Sequence, residues 1–192
     1  MFLDIKLGLG WAFLVGLLFG QPLTPLWILS GVVFALLPDI DFWIEYAERG
    51  TVGGKVIGAR RTLYHNPIPY IPIALFIGTL FGPAWMVLFA LGVFGHFVHD
   101  LSGMGYGIRL FWPFSDRWYK FFSAKNGEIH YDLDHLVVSW SPEEMRQLVA
   151  ARGNDNWIKE ELRYMHEHRL AILIRLLAVL VGIGVLVAIL PL

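Results

Sequence analysis

The stretch that decides the fold is "NPIPYIPIALFIGTLFGPAWMVLFALGVFGHFVHD", residues 66–100. Before His96 it contains no charged side chain, and Gly82-Pro83 divides it near its middle. A transmembrane helix needs about 20 apolar residues, so this run is too long for one comfortable span. Because proline interrupts a helix, we predict a helical hairpin that returns to the side from which it enters, with helices at Ile68–Phe81 and Ala84–Val98.

A second apolar run shows the same pattern. Residues 7–38 carry no charge, and Gln21-Pro22 followed by Pro25 interrupts them. This predicts another helical hairpin, Leu7–Gly20 with Leu23–Leu37. The last segment, Leu170 to Leu192, is apolar except for Arg175 and predicts a single C-terminal transmembrane helix.

The composition indicates a membrane protein. Of the 192 residues, 56% are hydrophobic and only 16% are charged, against about 25% charged in ordinary soluble domains. The mean hydropathy of +0.57 points the same way. A net charge of −1 argues against a nucleic-acid-binding protein. The chain has no cysteine, which excludes thiolate metal sites and leaves His, Asp and Glu as strong metal ligands.

The distribution of Lys and Arg predicts the orientation. Lys6 precedes the first hairpin, Arg49 and Lys55 lie between the hairpins, and further basic residues lie between Asp100 and Leu170. The turns of both hairpins carry none, so the positive-inside rule places the polar loops in the cytoplasm. We expect the plasma (inner) membrane of a bacterium or archaeon, with the active face cytoplasmic and the lipid bilayer as a partner. The oligomeric state stays open.

The expected fold is therefore an all-α integral membrane protein. It would comprise two helical hairpins, a cytoplasmic helical subdomain and a C-terminal transmembrane helix. Residues 1–106 would form the membrane-embedded part with the functional site, residues 107–155 a cytoplasmic or interfacial segment, and residues 156–192 a long helix that ends in the span. Within the second part, "SPEEM" predicts a helix that starts with a capping box of Ser141 and Glu144.

Candidate metal ligands occur where the hairpins meet the polar loops. Asp39 and Asp41 follow the first hairpin, and His65 precedes the second. His96 and Asp100 end the second hairpin four residues apart, which places them on one helical face. Since the predicted topology brings these five residues to one side of the membrane, we expect a metal site. His and Asp without Cys suit zinc best, with manganese or iron as alternatives and one or two ions.

Other residues are open to more than one role. His99 could be a ligand, orient a ligand or carry a proton, and Arg60 and Arg61 could bind a phosphate. The sequence "HYDLDH" could add ligands, of which we single out His130, Asp134 and His135; it could equally be a solvated loop. The segment "GIRLFWPFSDRWYKFF" interleaves aromatic and basic side chains, which is typical of a chain lying among lipid headgroups.

Several of these motifs resemble the YdjM-like family of inner-membrane-associated metal-dependent hydrolases. The resemblance is carried by "LLPDID", by an arginine shortly before His65, by "GVFGHFVHD" and by the glycine-rich stretch that leads to "WPF". It implies metal binding by the five residues Asp39, Asp41, His65, His96 and Asp100. A more distant similarity links the family to zinc-dependent phospholipase C.

Two departures from the family pattern are visible. The family's "HRGFTHS"-type motif is "RRTLYHN" here, so that Arg60 replaces its first histidine and Asn66 its serine. The family also tends to have an N-terminal histidine, and no histidine precedes His65 in this chain. We expect a membrane-bound hydrolase that uses metal-activated water on a phospholipid or another amphiphilic phosphoester. The alternative is a non-catalytic scaffold or partner-binding protein with a structural metal.

Overall fold

The computed structural model describes residues 2–57, 63–103, 105–170 and 173. Seven α-helices and two short strands are assigned among these residues. In chain order they are α1 (Phe2–Phe19), α2 (Pro25–Leu36), α3 (Ile40–Arg49), α4 (Tyr70–Phe81), α5 (Pro83–Ser102), β1 (Trp118–Phe121), β2 (Val137–Trp140), α6 (Pro142–Arg152) and α7 (Trp157–Glu167). Short 3-10 turns at Leu37–Asp39, Leu63–His65 and Leu133–His135 connect them.

The four apolar helices α1, α2, α4 and α5 form two hairpins, α1 with α2 and α4 with α5. Thr24 caps α2 by accepting a hydrogen bond from the Trp27 backbone N–H at 3.2 Å, and prolines open both α2 and α5, where the missing N–H costs nothing. Helix α1 begins before the predicted Leu7, which brings Asp4 into the helix. The prolines and glycines between the apolar runs therefore set the helix boundaries.

Helix α5 packs against α1, α2 and α4 and is the centre of the helical part. Its side chains Leu88, Phe89, Val93 and Phe97 are at most 2% exposed. On the other hairpin, the Trp27 indole N–H donates to the carbonyl of Ala12 at 2.7 Å, which ties α2 to α1. The last two turns of α5, which carry the candidate ligands, are thereby held against both helices of the first hairpin.

The expectation of an all-α fold is wrong, because residues 107–155 contain an antiparallel two-stranded sheet. Its register pairs Trp118 with Trp140 and Phe121 with Val137. Side chains alternate between buried and less buried positions along both strands, a period of two that a helix cannot satisfy. The aromatic and basic segment assigned to the headgroup region supplies β1, and its Lys120 is buried and donates to the Gly105 carbonyl.

The sheet is covered by α6, whose capping box of Ser141 and Glu144 is confirmed. The buried side chains between them form one hydrophobic cluster, which comprises Trp118, Val138, Trp140, Met145 and Val149. The residues after α6 are attached to the loop after α3, where the Lys55 N–H donates to Asp155 at 2.8 Å.

The described residues contain two helical stretches that are long and apolar enough to cross a membrane, Pro25–Arg49 and Pro83–Ser102. Helix α4 is apolar but shorter. The integral membrane fold with a C-terminal transmembrane helix is therefore not what the described chain shows. The predicted last span, Leu170 to Leu192, lies outside the described residues except for Leu170 and Leu173.

Candidate metal centre

The candidate ligands come from three segments that converge on the end of α5. The chain leaves α2 through the 3-10 turn Leu37–Asp39, in which Pro38 is buried, and continues into α3 with Asp41 in its first turn. His65 ends the turn that precedes α4, and His96 and Asp100 lie near the end of α5. Three chain segments far apart in sequence therefore meet at one place.

Close helix packing allows His96 to reach α2. Gly92 lies one turn before His96, and a Cβ atom there would be only 2.9 Å from the Phe34 Cβ and 3.1 Å from the Ala35 backbone nitrogen. The missing side chain lets the helices approach until the His96 Nδ1 is 2.9 Å from the Ala35 carbonyl oxygen. The same Nδ1 lies 3.3 Å from Asp4 Oδ1, on α1.

His65 is held in an analogous way. Its Nδ1 is 3.0 Å from the carbonyl oxygen of Pro38 and 3.2 Å from Asp41 Oδ2. Both neighbours are acceptors, so this nitrogen carries the proton and donates. Its Nε2 lies 2.6 Å from Asp100 Oδ2.

The two histidines thus share a tautomer that is fixed by backbone carbonyls. Each donates its Nδ1 proton away from the site and turns Nε2 toward carboxylates. For His96, Nε2 is 3.8 Å from Asp39 Oδ1 and 3.9 Å from Asp100 Oδ2, and within the described part of the chain it has no hydrogen-bond partner. In the neutral rings, both Nε2 lone pairs face carboxylate oxygens, an arrangement that requires a proton or a metal cation between them.

The ligand atoms of Asp39, His65 and His96 lie within 4.8 Å of one another. Both histidine side chains are at most 2% exposed, whereas the Asp39 and Asp100 side chains are 13% exposed. The site is therefore enclosed by protein on the histidine side and reachable on the carboxylate side. Two nitrogen ligands and one carboxylate match the three protein ligands of catalytic zinc sites, which leave one position open.

Burial and the carboxylates act in opposite directions on His65. Burial disfavours the charged ring, but hydrogen bonds to Asp100 and Asp41 outweigh that effect and raise the pKa of His65 above its usual value. A site that favours a proton at this position also favours a cation, since both are stabilised by the same carboxylates.

Asp4 is a member of the site that the sequence analysis missed. Its side chain is 1% exposed, and its Oδ1 lies 3.3 Å from His96 Nδ1 and 3.0 Å from His99 Nδ1. Burial raises the pKa of Asp4, but the hydrogen bonds from the two histidines outweigh it and lower the pKa. An acidic residue just before an apolar helix was the available signal, although only the packing of α1 shows where it points.

The other predicted ligands lie around His65. Asp41 and Asp100 each contact His65. Since Asp39 and His96 also lie near it, all five predicted ligands are close together. His99 hydrogen bonds to Asp4, and its side chain is 28% exposed. Arg60 and Arg61 lie outside the described residues.

The "HYDLDH" segment forms a cluster of its own. It joins His130 and His135 with Asp132, whereas Asp134 is not among the three residues grouped there. Asp132 accepts from the His135 backbone N–H and side chain, and this hydrogen bonding lowers the pKa of Asp132.

The comparisons with known proteins assign the family. The model of the family "YdjM inner membrane protein" matches residues 5–190, almost the whole chain. No curated protein and no solved structure matches it. The family match agrees with the two apolar helical stretches in placing the protein at a membrane. The chain belongs to the family of YdjM inner membrane proteins.

Proposed function

We propose that this inner membrane protein is a metal-dependent hydrolase whose metal is held by Asp39, His65 and His96. The observation that carries the proposal is the paired orientation of the histidines. Both donate Nδ1–H to a backbone carbonyl and direct Nε2 to Asp100, and His96 Nε2 also faces Asp39. Zinc suits two imidazoles and a carboxylate best, and manganese or iron would also accept these ligands.

The surrounding residues support the ligands. Asp41 lies against His65 Nδ1 and Asp4 against His96 Nδ1, which is the place where carboxylates orient ligating imidazoles and raise their basicity. Asp100 contacts His65 and faces His96, so it can serve as a fourth ligand or bridge to a second ion. The partly exposed carboxylates leave a side from which a substrate can approach.

A divalent metal held here would supply Lewis acidity and activate a water for attack on an ester or phosphoester. Residues of the chain would transfer the proton and bind the phosphate. His99, three residues from His96 and hydrogen bonded to Asp4, would move a proton to the leaving group. Arg60 or Arg61, which precede His65 in sequence, would bind a phosphate.

The class of substrate follows from the position of the site. His96 and Asp100 lie at the end of the apolar stretch Pro83–Ser102, and Asp39 follows the apolar helix α2. Ligands at the boundary of apolar segments would face the headgroup region of a bilayer. We therefore propose a phospholipid or another amphiphilic phosphoester as substrate and the cytoplasmic leaflet as its location.

A second candidate function is a structural metal in a scaffold or partner-binding protein. The observation in its favour is the burial of both histidines, each 1% exposed, because structural sites are closed. The two functions differ in what metal removal does. Removal of a catalytic metal would leave a folded, inactive protein, whereas removal of a structural metal would unfold the protein.

Metal content is the first test. We expect the protein, purified in mild detergent, to hold stoichiometric metal by elemental analysis, and we expect His96→Ala and Asp100→Asn to lose the ion of the buried site. Zinc at 100 times the Kd of the buried site should stabilise the wild type by about 2.7 kcal/mol through that site, and this contribution should be absent from His96→Ala. His168→Ala is the matched control, because His168 is exposed and directly follows α7.

The outcomes separate the proposals. Metal in the wild type that both variants lose, followed by hydrolysis of lipid phosphoesters, would support the enzyme. If the metal-loaded protein has no hydrolytic activity and unfolds when the metal is removed, the scaffold is supported. A wild type that binds neither zinc nor manganese at the buried histidines would refute both.

A further inference from the structure

The second histidine cluster lies on the loop that joins the two strands. His130 and Asp132 precede the 3-10 turn Leu133–His135, and His135 ends that turn. The ligand atoms of His130, Asp132 and His135 lie within 4.8 Å of one another. This cluster is not buried, because its three side chains are between 36% and 50% accessible to solvent.

Backbone hydrogen bonds hold both histidines against the residues that follow β1. The His130 N–H donates to the Phe122 carbonyl at 2.8 Å, and the Ser123 N–H donates to the His135 carbonyl at 3.1 Å. Since Phe122 and Ser123 are adjacent, the two histidines are attached to neighbouring residues of one segment. Their rings stack with centroids 4.5 Å apart and an interplanar angle of 23°.

Asp132 orients one of these rings. Its Oδ1 accepts from the His135 backbone N–H at 3.0 Å and lies 2.7 Å from His135 Nδ1. A divalent cation can take the place of the proton that these two atoms share, so that His135 Nδ1, in the tautomer protonated at Nε2, and Asp132 Oδ1 both become ligands.

We propose that His130, Asp132 and His135 form a second, solvent-exposed site for a divalent transition metal such as zinc. Imidazole nitrogens select transition metals over magnesium and calcium, which prefer oxygen ligands. Tetrahedral zinc places its ligand atoms about 3.3 Å apart. From a separation within 4.8 Å, rotation of the exposed side chains suffices to reach that geometry.

The proposal goes beyond the hydrolase. The three residues lie on the strand connection, outside the group formed by Asp39, His65 and His96. A metal at this site would fasten the loop to the end of β1 and keep an open coordination position toward solvent. The simpler explanation of the contact between Asp132 and His135 is a cap of the 3-10 turn, which needs no metal.

The test is a zinc titration of the full chain in detergent, against a competing chelator. The wild type should bind one zinc more than His130→Gln, and the Kd of the exposed site should rise by more than about ten-fold in that variant. Asp132→Asn keeps the oxygen that caps the turn but loses the carboxylate charge, so it should show a similar loss. Asp134→Asn, in the same turn, is the matched control and should bind like the wild type.

The buried site is distinguished by His96→Ala. The His96→Ala variant should still bind zinc at His130, Asp132 and His135. This result would support the exposed site even if the buried site binds no metal and the protein is not a hydrolase. If His130→Gln and Asp132→Asn bind zinc with the number and Kd of the wild type, the exposed site does not exist and the cap of the turn explains the geometry.

Discussion

Asp4 shows how one residue on a distant helix can complete a site. It accepts from His96 and His99 on α5, although it lies in the first turn of α1. A carboxylate on the Nδ1 side of a ligating histidine fixes the ring and makes Nε2 a better ligand. We therefore assign Asp4 the role of a positioning residue for His96.

Replacing Asp4 should weaken metal binding without removing a ligand. We expect Asp4→Ala to raise the Kd for zinc by about 10–100-fold, the usual effect of losing such a partner. Asp4→Asn should recover part of the loss, because its amide oxygen still accepts from the histidines. Zinc titration measures both effects, with Lys6→Ala on the same helix as the control; an unchanged Kd in Asp4→Ala would mean that the Ala35 carbonyl alone holds His96.

At the scale of elements, the crossing of α1 and α2 depends on two glycines. A Cβ at Gly31 would be 2.5 Å from the Gly8 carbonyl oxygen, and one at Gly8 would be 2.6 Å from the Gly31 carbonyl oxygen. Such distances do not occur between real Cβ and backbone atoms, so any larger residue must push the helices apart. Small residues are the usual means by which apolar helices approach closely.

Gly31→Ala should therefore destabilise the first hairpin. We expect a loss of about 1–3 kcal/mol from overpacking and a weaker metal site, because Asp4 lies one turn before Gly8 and would move with α1. Thermal unfolding in detergent and zinc titration measure the two effects. Gly10→Ala is the control on the same helix, since a Cβ there would meet nothing within 4 Å; equal stability of both variants would contradict the role of the close crossing.

At the scale of the whole molecule, the orientation in the membrane is testable because the chain has no cysteine. A single cysteine can be placed at Asn126, in the exposed turn after β1. With the polar loops in the cytoplasm, as the distribution of Lys and Arg predicts, Asn126→Cys should resist a membrane-impermeant maleimide in intact bacterial cells. It should react after permeabilisation, while the natural chain stays unlabelled. Labelling of intact cells would contradict the predicted orientation of the polar loops.

Sequence patterns alone determined much of the helical part. Prolines and glycines interrupt apolar runs because they disturb helices locally, so both hairpins and their turns could be located from composition and spacing. The capping box of α6 could be predicted for the same reason, as it depends on residues three apart. Asp39, His65 and His96 could be named as candidates because polar side chains at the ends of apolar segments are few.

The tertiary structure decided what depends on residues far apart in the chain. Only packing shows that Ala35 and Pro38 offer the carbonyls that orient His96 and His65. Only packing shows that Asp4 reaches His96 from α1. The sheet was missed because Trp118–Phe121 finds its partner at Val137–Trp140, across a loop whose length no local pattern encodes. Strand pairing and the environment of a ligand are set by neighbours in space, whereas helix boundaries are set by neighbours in sequence.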